Sequence, residues 1–183
     1  MRVFGIDPGS VRTGYGCVES DGRRHRVLAC GALTMPARAP LPDKLVAIHA
    51  GLTELLVRTR PDCVAVENVF HAVNARSALV LGHARGVAIL SARELGLSVV
   101  EYTPAEVKRA VVGYGRADKA QVQRMITLLL GLDEPPSPYD VTDALAVAVC
   151  HLHRVPAAVG ARVAAAAAAP RGTPRSWRHY RPN

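Results

Sequence analysis

Apolar and polar positions along the chain alternate between two periods. Val3-Phe4-Gly5-Ile6 is a short apolar run that breaks at Asp7-Pro8-Gly9, and Thr13 to Val18 is a second. Short apolar runs bounded by turn residues read as buried strands. The second run continues to Ser20, turns at Asp21-Gly22 and returns from about Arg26 to Thr34, a hairpin signalled by the Asp-Gly pair. Pro36, Pro40 and Pro42 mark a loop. Leu45, Ile48, Leu52, Leu55 and Leu56 then recur at helical spacing until Pro61. A buried strand, Cys63 to Val66, ends at Glu67, and a helix follows from about Asn74 to Leu95. Leu97 to Tyr102 is a fifth strand, and Pro104 to Val112 a short helix. Val122, Met125, Ile126, Leu129 and Leu130 define another helix, closed by Gly131. Pro135, Pro136 and Pro138 break the chain before a last helix, about Asp140 to His153. Three strands in hairpin order, then helices alternating with strands, predict an α/β fold: a mixed sheet with helices on both faces.

Composition adds a boundary. The chain has 183 residues, 23 basic and 15 acidic, for a net charge of +8. Six arginines (154, 162, 171, 175, 178 and 181) and no acid follow His151. We therefore expect one domain over residues 1–155 and a basic Ala/Arg/Pro-rich tail over 156–183, largely disordered for want of apolar surface. A basic tail on a mildly basic body points to nucleic acid or another polyanion, with an idle solvated tail as the alternative. Cys17, Cys30, Cys63 and Cys150 form no Cys-x-x-Cys pair, so neither a zinc site nor a disulfide framework is expected. No signal peptide or membrane span is legible, which places the protein in the cytoplasm with no membrane partner.

The acids carry the chemistry. Asp7 and Glu67 each follow a buried strand at its C-terminal end, where sheet proteins commonly place functional groups. Alone, Asp7 could be an Asx-turn former and Glu67 an exposed strand end. Asp140 and Asp143 share one face of a first helical turn, where they also resemble a capping box. Converging at one sheet edge, four carboxylates would repel one another without cations. Hard oxygen ligands of this kind suit Mg²⁺, two ions per subunit, with Mn²⁺ able to substitute. Such a pair serves in-line displacement at phosphate.

In their order and spacing these residues resemble the RuvC family of crossover (Holliday) junction endodeoxyribonucleases, of the ribonuclease H-like superfamily. The resemblance runs from Val3 to about His153. It rests on Gly5-Ile6-Asp7-Pro8-Gly9, Thr13-Gly14-Tyr15-Gly16 and Glu67-Asn68-Val69-Phe70. Ala84-Arg85-Gly86-Val87-Ala88, Val107-Lys108, Val111-Val112-Gly113 and Asp140-x-x-Asp143-Ala144-Leu145-Ala146 extend it. It implies a ribonuclease H-like fold with a five-stranded mixed sheet, and Asp7, Glu67, Asp140 and Asp143 as catalytic, metal-binding acids. It also implies a homodimer that nicks four-way junction DNA symmetrically, leaving 5′-phosphate and 3′-hydroxyl ends. A complex with the RuvA junction-binding protein and the RuvB branch-migration motor follows from the same resemblance.

Lys108 and Lys119, two of only three lysines, flank the Gly113-Tyr114-Gly115 loop and are expected to contact phosphate and assist catalysis. Arg76, Arg85 and Arg116 are candidate DNA-backbone contacts. Asn74 is a candidate DNA contact or a helix cap. Phe70, beside Glu67, is expected to stack on an unpaired base. Ala78, Gly82 and Gly86 form one i, i+4 ridge, which either packs on the chain's own sheet or makes the dimer interface. His71 and Val73 stand where many relatives carry an aromatic and a lysine, so junction binding is expected to differ. Arg116-Ala117-Asp118 replaces a small polar cap in relatives, so a weaker helix start is expected there. Two rival functions remain at this point: a junction-binding protein without catalysis, and an actin-like phosphotransferase, for which the chain is short.

Overall fold

A computed structural model of the chain describes residues 1–68 and 74–155. The readings placed on Phe70, His71, Val73 and the tail lie outside the described residues.

Three strands form an antiparallel meander: β1 (Arg2–Asp7), β2 (Arg12–Ser20) and β3 (His25–Thr34). β4 (Cys63–Glu67) pairs in parallel with β1, and β5 (Ser98–Tyr102) in parallel with β4, so the sheet order is β3-β2-β1-β4-β5. The helices are α1 (Leu41–Thr59), α2 (Ala75–Glu94), α3 (Pro104–Val112), α4 (Lys119–Leu130) and α5 (Tyr139–Arg154). The mixed five-stranded sheet with covered faces is the architecture the hydrophobic pattern predicts.

Strand pleating sorts the core into two layers. Phe4, Ile6, Cys17, Val64 and Val66 face α1 and α2, packing on Ile48, Leu52, Leu56, Ala84, Ala88 and Ala92. Val3, Val18, Cys63 and Ala65 face the other way, onto α3, α4 and α5 through Val107, Val111, Ile126, Leu145 and Val149. This parity also sends Asp7 and Glu67, the last residues of β1 and β4, to the α5 side.

α5 lies on the sheet because three glycines make room for it. A Cβ on Gly14 would stand 1.9 Å from the Asp140 carbonyl oxygen, and one on Gly5 would stand 2.0 Å from that of Ala144. On Gly16 it would meet the Leu145 side chain at 2.5 Å. Gly14 is the β2 partner of Asp7, and Gly16 that of Gly5. The missing side chains thus form a slot across β1 and β2, filled by the helix backbone itself.

Two readings of helix starts need correction. α5 begins after Pro138, with no side-chain cap bond, so Asp140 sits inside the first turn and the Asp140–Asp143 capping box does not form. The α4 start is not weak: Asp118 accepts from the Gln121 backbone at 2.8 Å while the Gln121 side chain accepts from the Asp118 backbone at 2.9 Å. This is a complete capping box. Cys17, Cys63 and Cys150 are buried free thiols, and Cys30 is an exposed one. No helix among the described residues is long and apolar enough to cross a membrane.

Candidate active site

Parallel pairing of β1 and β4 matches Ile6 with Val66, so Asp7 and Glu67 emerge side by side at the sheet's carboxyl end. The two carboxyls lie close enough to act on each other directly. α5 completes the group from above, since its first turn rests on Gly14, directly across from Asp7. Asp140 and Asp143 follow at the spacing that puts both on the sheet-facing side. Pro136 steadies this end, its carbonyl accepting from Thr142 Oγ1 at 3.0 Å and from Gln123 Nε2 at 2.8 Å.

The electrostatics follow from burial and like charge. Burial, then the charges of Glu67, Asp143 and Asp140, push the Asp7 carboxyl far above the usual carboxylate range. Burial and the Asp143 charge push Glu67 up as well, against the opposing pull of Asp7, Lys119 and Lys108. The outer acids are held differently. Lys119 Nζ donates to Asp143 Oδ2 at 2.8 Å, and Arg12 Nη1 to Asp140 Oδ2 at 3.3 Å. Burial works against the Lys119 charge, but its bond to Asp143 and the charges of Asp143, Asp7 and Glu67 outweigh it and raise its pKa. Beside Glu67, the buried Asn68 side-chain oxygen has no hydrogen-bond partner.

All four donors are carboxylate oxygens, the ligand class of Mg²⁺ and Mn²⁺ rather than of zinc. The set fits such ions in chemistry. Among the described residues no three His, Cys, Asp or Glu side chains are drawn together as closely as a bound ion would hold them. Arg12 and Lys119 each engage one of the outer carboxylates.

The other sequence candidates scatter. Lys108, half-buried on α3, is near enough to act on Glu67 electrostatically. Arg116 and Arg76 are exposed. Arg85 pairs with Glu101, and its Nε is buried without a partner. Asn74 caps α2, its side chain accepting from the Ser77 backbone at 2.9 Å. Ala78, Gly82 and Gly86 do not pack on the chain's own sheet: all three are exposed, and a Cβ on either glycine would meet nothing within 4 Å. Arg12 is absent from the sequence candidates. Its signal is strand alternation, since positions 12, 14 and 16 share the face that α5 covers.

Comparison with known proteins bears on the family and the fold. The family model described as crossover junction endodeoxyribonuclease RuvC matches residues 3–151. The RuvC of Koribacter versatilis is 54% identical over 154 residues, 84% of this chain and 93% of that protein. The Thermus thermophilus RuvC structure superimposes with a TM-score of 0.78 at 37% identity, covering 87% of this chain and 97% of that one. The same organism's RuvC in complex with Holliday junction substrate gives 0.79 at 38% identity, covering 82% and 92%. The ribonuclease H-like sheet, the four acids at its carboxyl end and these matches together make the chain a member of the RuvC family of crossover junction endodeoxyribonucleases.

Proposed function

We propose that the chain is a metal-dependent endonuclease that resolves four-way DNA junctions, with Asp7, Glu67, Asp140 and Asp143 as its catalytic and metal-holding acids. The observation that carries this reading is their approach from β1, β4 and α5 to one end of the sheet, four carboxyls against the two cations of Arg12 and Lys119. A DNA groove gains nothing from such charge unless cations enter it, which argues against a purely junction-binding role. Two Mg²⁺ ions per subunit, replaceable by Mn²⁺, fit the donor set. When bound, such ions activate water and stabilise the leaving oxygen of an in-line displacement.

The chain's own residues do the rest. Asp7, shared between Glu67 on one side and α5 on the other, is the central ligand. The Pro8-Gly9 turn follows it directly and ends β1 there. Lys119 positions Asp143 and, with Lys108, sets a positive potential against the phosphate that Asp7 and Glu67 would otherwise repel. Arg76, Arg116, Asn74 and Arg85 are assigned to the DNA backbone around this centre, and Phe70 to an unpaired base.

Symmetric nicking requires two copies. The exposed face of α2 fits that need: Leu45, Ala78, Leu79, Gly82, His83, Gly86, Val87 and Leu90 line a shallow apolar depression. Leu79 is 66% exposed and Leu90 50%. A glycine ridge flanked by such side chains suits close helix approach by a second copy. RuvA and RuvB are the partners this function calls for, tested by co-migration on a junction.

The deciding assay incubates the protein with a labelled synthetic four-way junction and Mg²⁺, alongside Asp7→Asn and Glu67→Gln. Paired symmetric nicks are expected from the natural chain, and binding without cleavage from both variants. An uncut junction in Mg²⁺ and Mn²⁺ across several sequences would sink the nuclease reading. Sedimentation of Gly82→Leu tests the dimer face, where a monomer that is still folded is the expected result.

A further inference from the structure

The β1–β2 turn holds Arg12 in a fixed place. Thr13 Oγ1 donates to the Gly9 carbonyl at 2.7 Å and accepts from the Gly9 amide at 3.3 Å. Gly9 sits so close that a Cβ there would stand 2.2 Å from the Arg12 carbonyl oxygen. From the other side, the Met35 amide donates to Val11 at 2.9 Å, tying the turn to the end of β3. The backbone of Arg12 is therefore anchored on both flanks. Its position in β2, in step with Gly14 and Gly16, directs its side chain to the α5 face. There the guanidinium meets Asp140.

That contact is built to be released. It is a single Nη1 bond of 3.3 Å, not a two-pronged pair, and the Arg12 side chain is 44% exposed. Arginine keeps its charge at any working pH, so a guanidinium and a dication compete for one carboxylate and repel each other across it. Relief can come only by moving the side chain, and its exposure leaves room for that. Lys119 at 2.8 Å holds Asp143 more tightly.

We propose that Arg12 is a built-in counter-ion for Asp140, a positioning residue that occupies this carboxylate in the metal-free protein and hands it to a divalent cation on loading. The proposal rests on the reading of Asp140 as a metal ligand. It makes Arg12 a brake on ion affinity and a support of the empty site. Removing it therefore tightens ion binding and loosens the metal-free fold, a pairing of effects that a merely structural residue does not produce.

The test measures Mn²⁺ binding, by the paramagnetic signal of the free ion, in the natural chain and in Arg12→Ala, Arg12→Lys, Asp140→Asn and the Arg12→Ala/Asp140→Asn double variant. Melting temperatures without metal accompany each. Arg12→Ala is expected to bind Mn²⁺ about three- to fivefold more tightly, the scale of a weak exposed pair, and to melt lower without metal. Arg12→Lys is expected to restore the natural affinity, and the gain is expected to vanish in the Asp140→Asn background. Unchanged or weaker binding by Arg12→Ala overturns the proposal, as does a gain that survives Asp140→Asn. Should Asp140→Asn alone leave Mn²⁺ affinity untouched, the assignment of Asp140 as a ligand fails instead. If Arg12→Ala does not fold, Arg12→Gln serves the same comparison.

Discussion

At its C-terminal end α5 places His151 Nδ1 2.8 Å from the Tyr102 hydroxyl and lays Arg154 over the Tyr102 ring while pairing it with Glu106 at 2.8 Å. At its N-terminal end the same helix places Asp140 and Asp143 over Asp7 and Glu67, four carboxyls with two chain cations in direct contact. Both ends bury polar groups against the same sheet. In the first every charge meets its opposite, and the carboxyl of Glu106 is held below its usual range by the Thr103 backbone and side chain and by Arg154. In the second, burial and repulsion drive two carboxyls the other way. Satisfied polar groups fix a fold, whereas a surplus of one sign, kept by the fold against its own stability, marks where an outside ion or substrate completes the structure.

The sharpest way to break this contrast is Asp7→Asn. Single-turnover cleavage of a junction is expected to fall by about a thousandfold or more, as when a member of a catalytic group is removed, with junction affinity retained. Lys119→Ala comes next, with cleavage expected to fall about a hundredfold by loss of transition-state charge stabilisation and binding by far less. Gly14→Ala forces a Cβ into the Asp140 carbonyl. Urea unfolding should show a loss of about 1–3 kcal/mol, as for an overpacked core, together with slower cleavage. Its counterpart on the open face, Gly82→Ala, should gain up to about 1 kcal/mol of helix stability in a monomeric background. At the satisfied end, Tyr102→Phe strands a buried imidazole nitrogen. It is expected to cost about 1–3 kcal/mol while leaving the cleavage rate of folded enzyme unchanged.

The smallest effects are slopes with pH, and they run in opposite directions. Raised carboxyl pKa values mean that the folded chain binds more protons at the acid cluster than the unfolded chain does. In metal-free buffer that end loses stability as pH rises out of the carboxylate range through neutrality, and Asp7→Asn should flatten the loss. His151 and His25, both lowered from 6.5 chiefly by burial, contribute stability above that value and lose it as pH falls through their lowered folded values. Melting curves from acid to alkaline pH, with and without Mg²⁺, separate the two.

Much of this site is legible in the residues themselves. Asp7 and Glu67 stand out because each ends a short apolar run, and strand ends can be read locally. The ridge of Ala78, Gly82 and Gly86 is equally plain, although what covers it is not, because the face is exposed among the described residues. The start of α5 misleads, since Asp-x-x-Asp looks like a cap while Pro138 takes the capping position. Asp118–Gln121 is the reverse case, a complete capping pattern that comparison with relatives obscures. Arg12 is invisible as one arginine among 20. Its role needs the pleat of β2 and the crossing of α5, and neither is a local property.

The glycine slot on β1 and β2 has a consequence for synthesis. Gly5, Gly14 and Gly16 emerge early, but the helix that fills their slot is the last element described. A nascent chain that has reached β5 can pair its strands and display Asp7 and Glu67. It still lacks Asp140 and Asp143, and its apolar face stands open. On the proposed assignment of the four acids, such a chain carries half of its site and is expected not to cut. The arrival of α5 closes the core and brings in the last two acids in one event, so the proposed site would be complete only once that helix has docked.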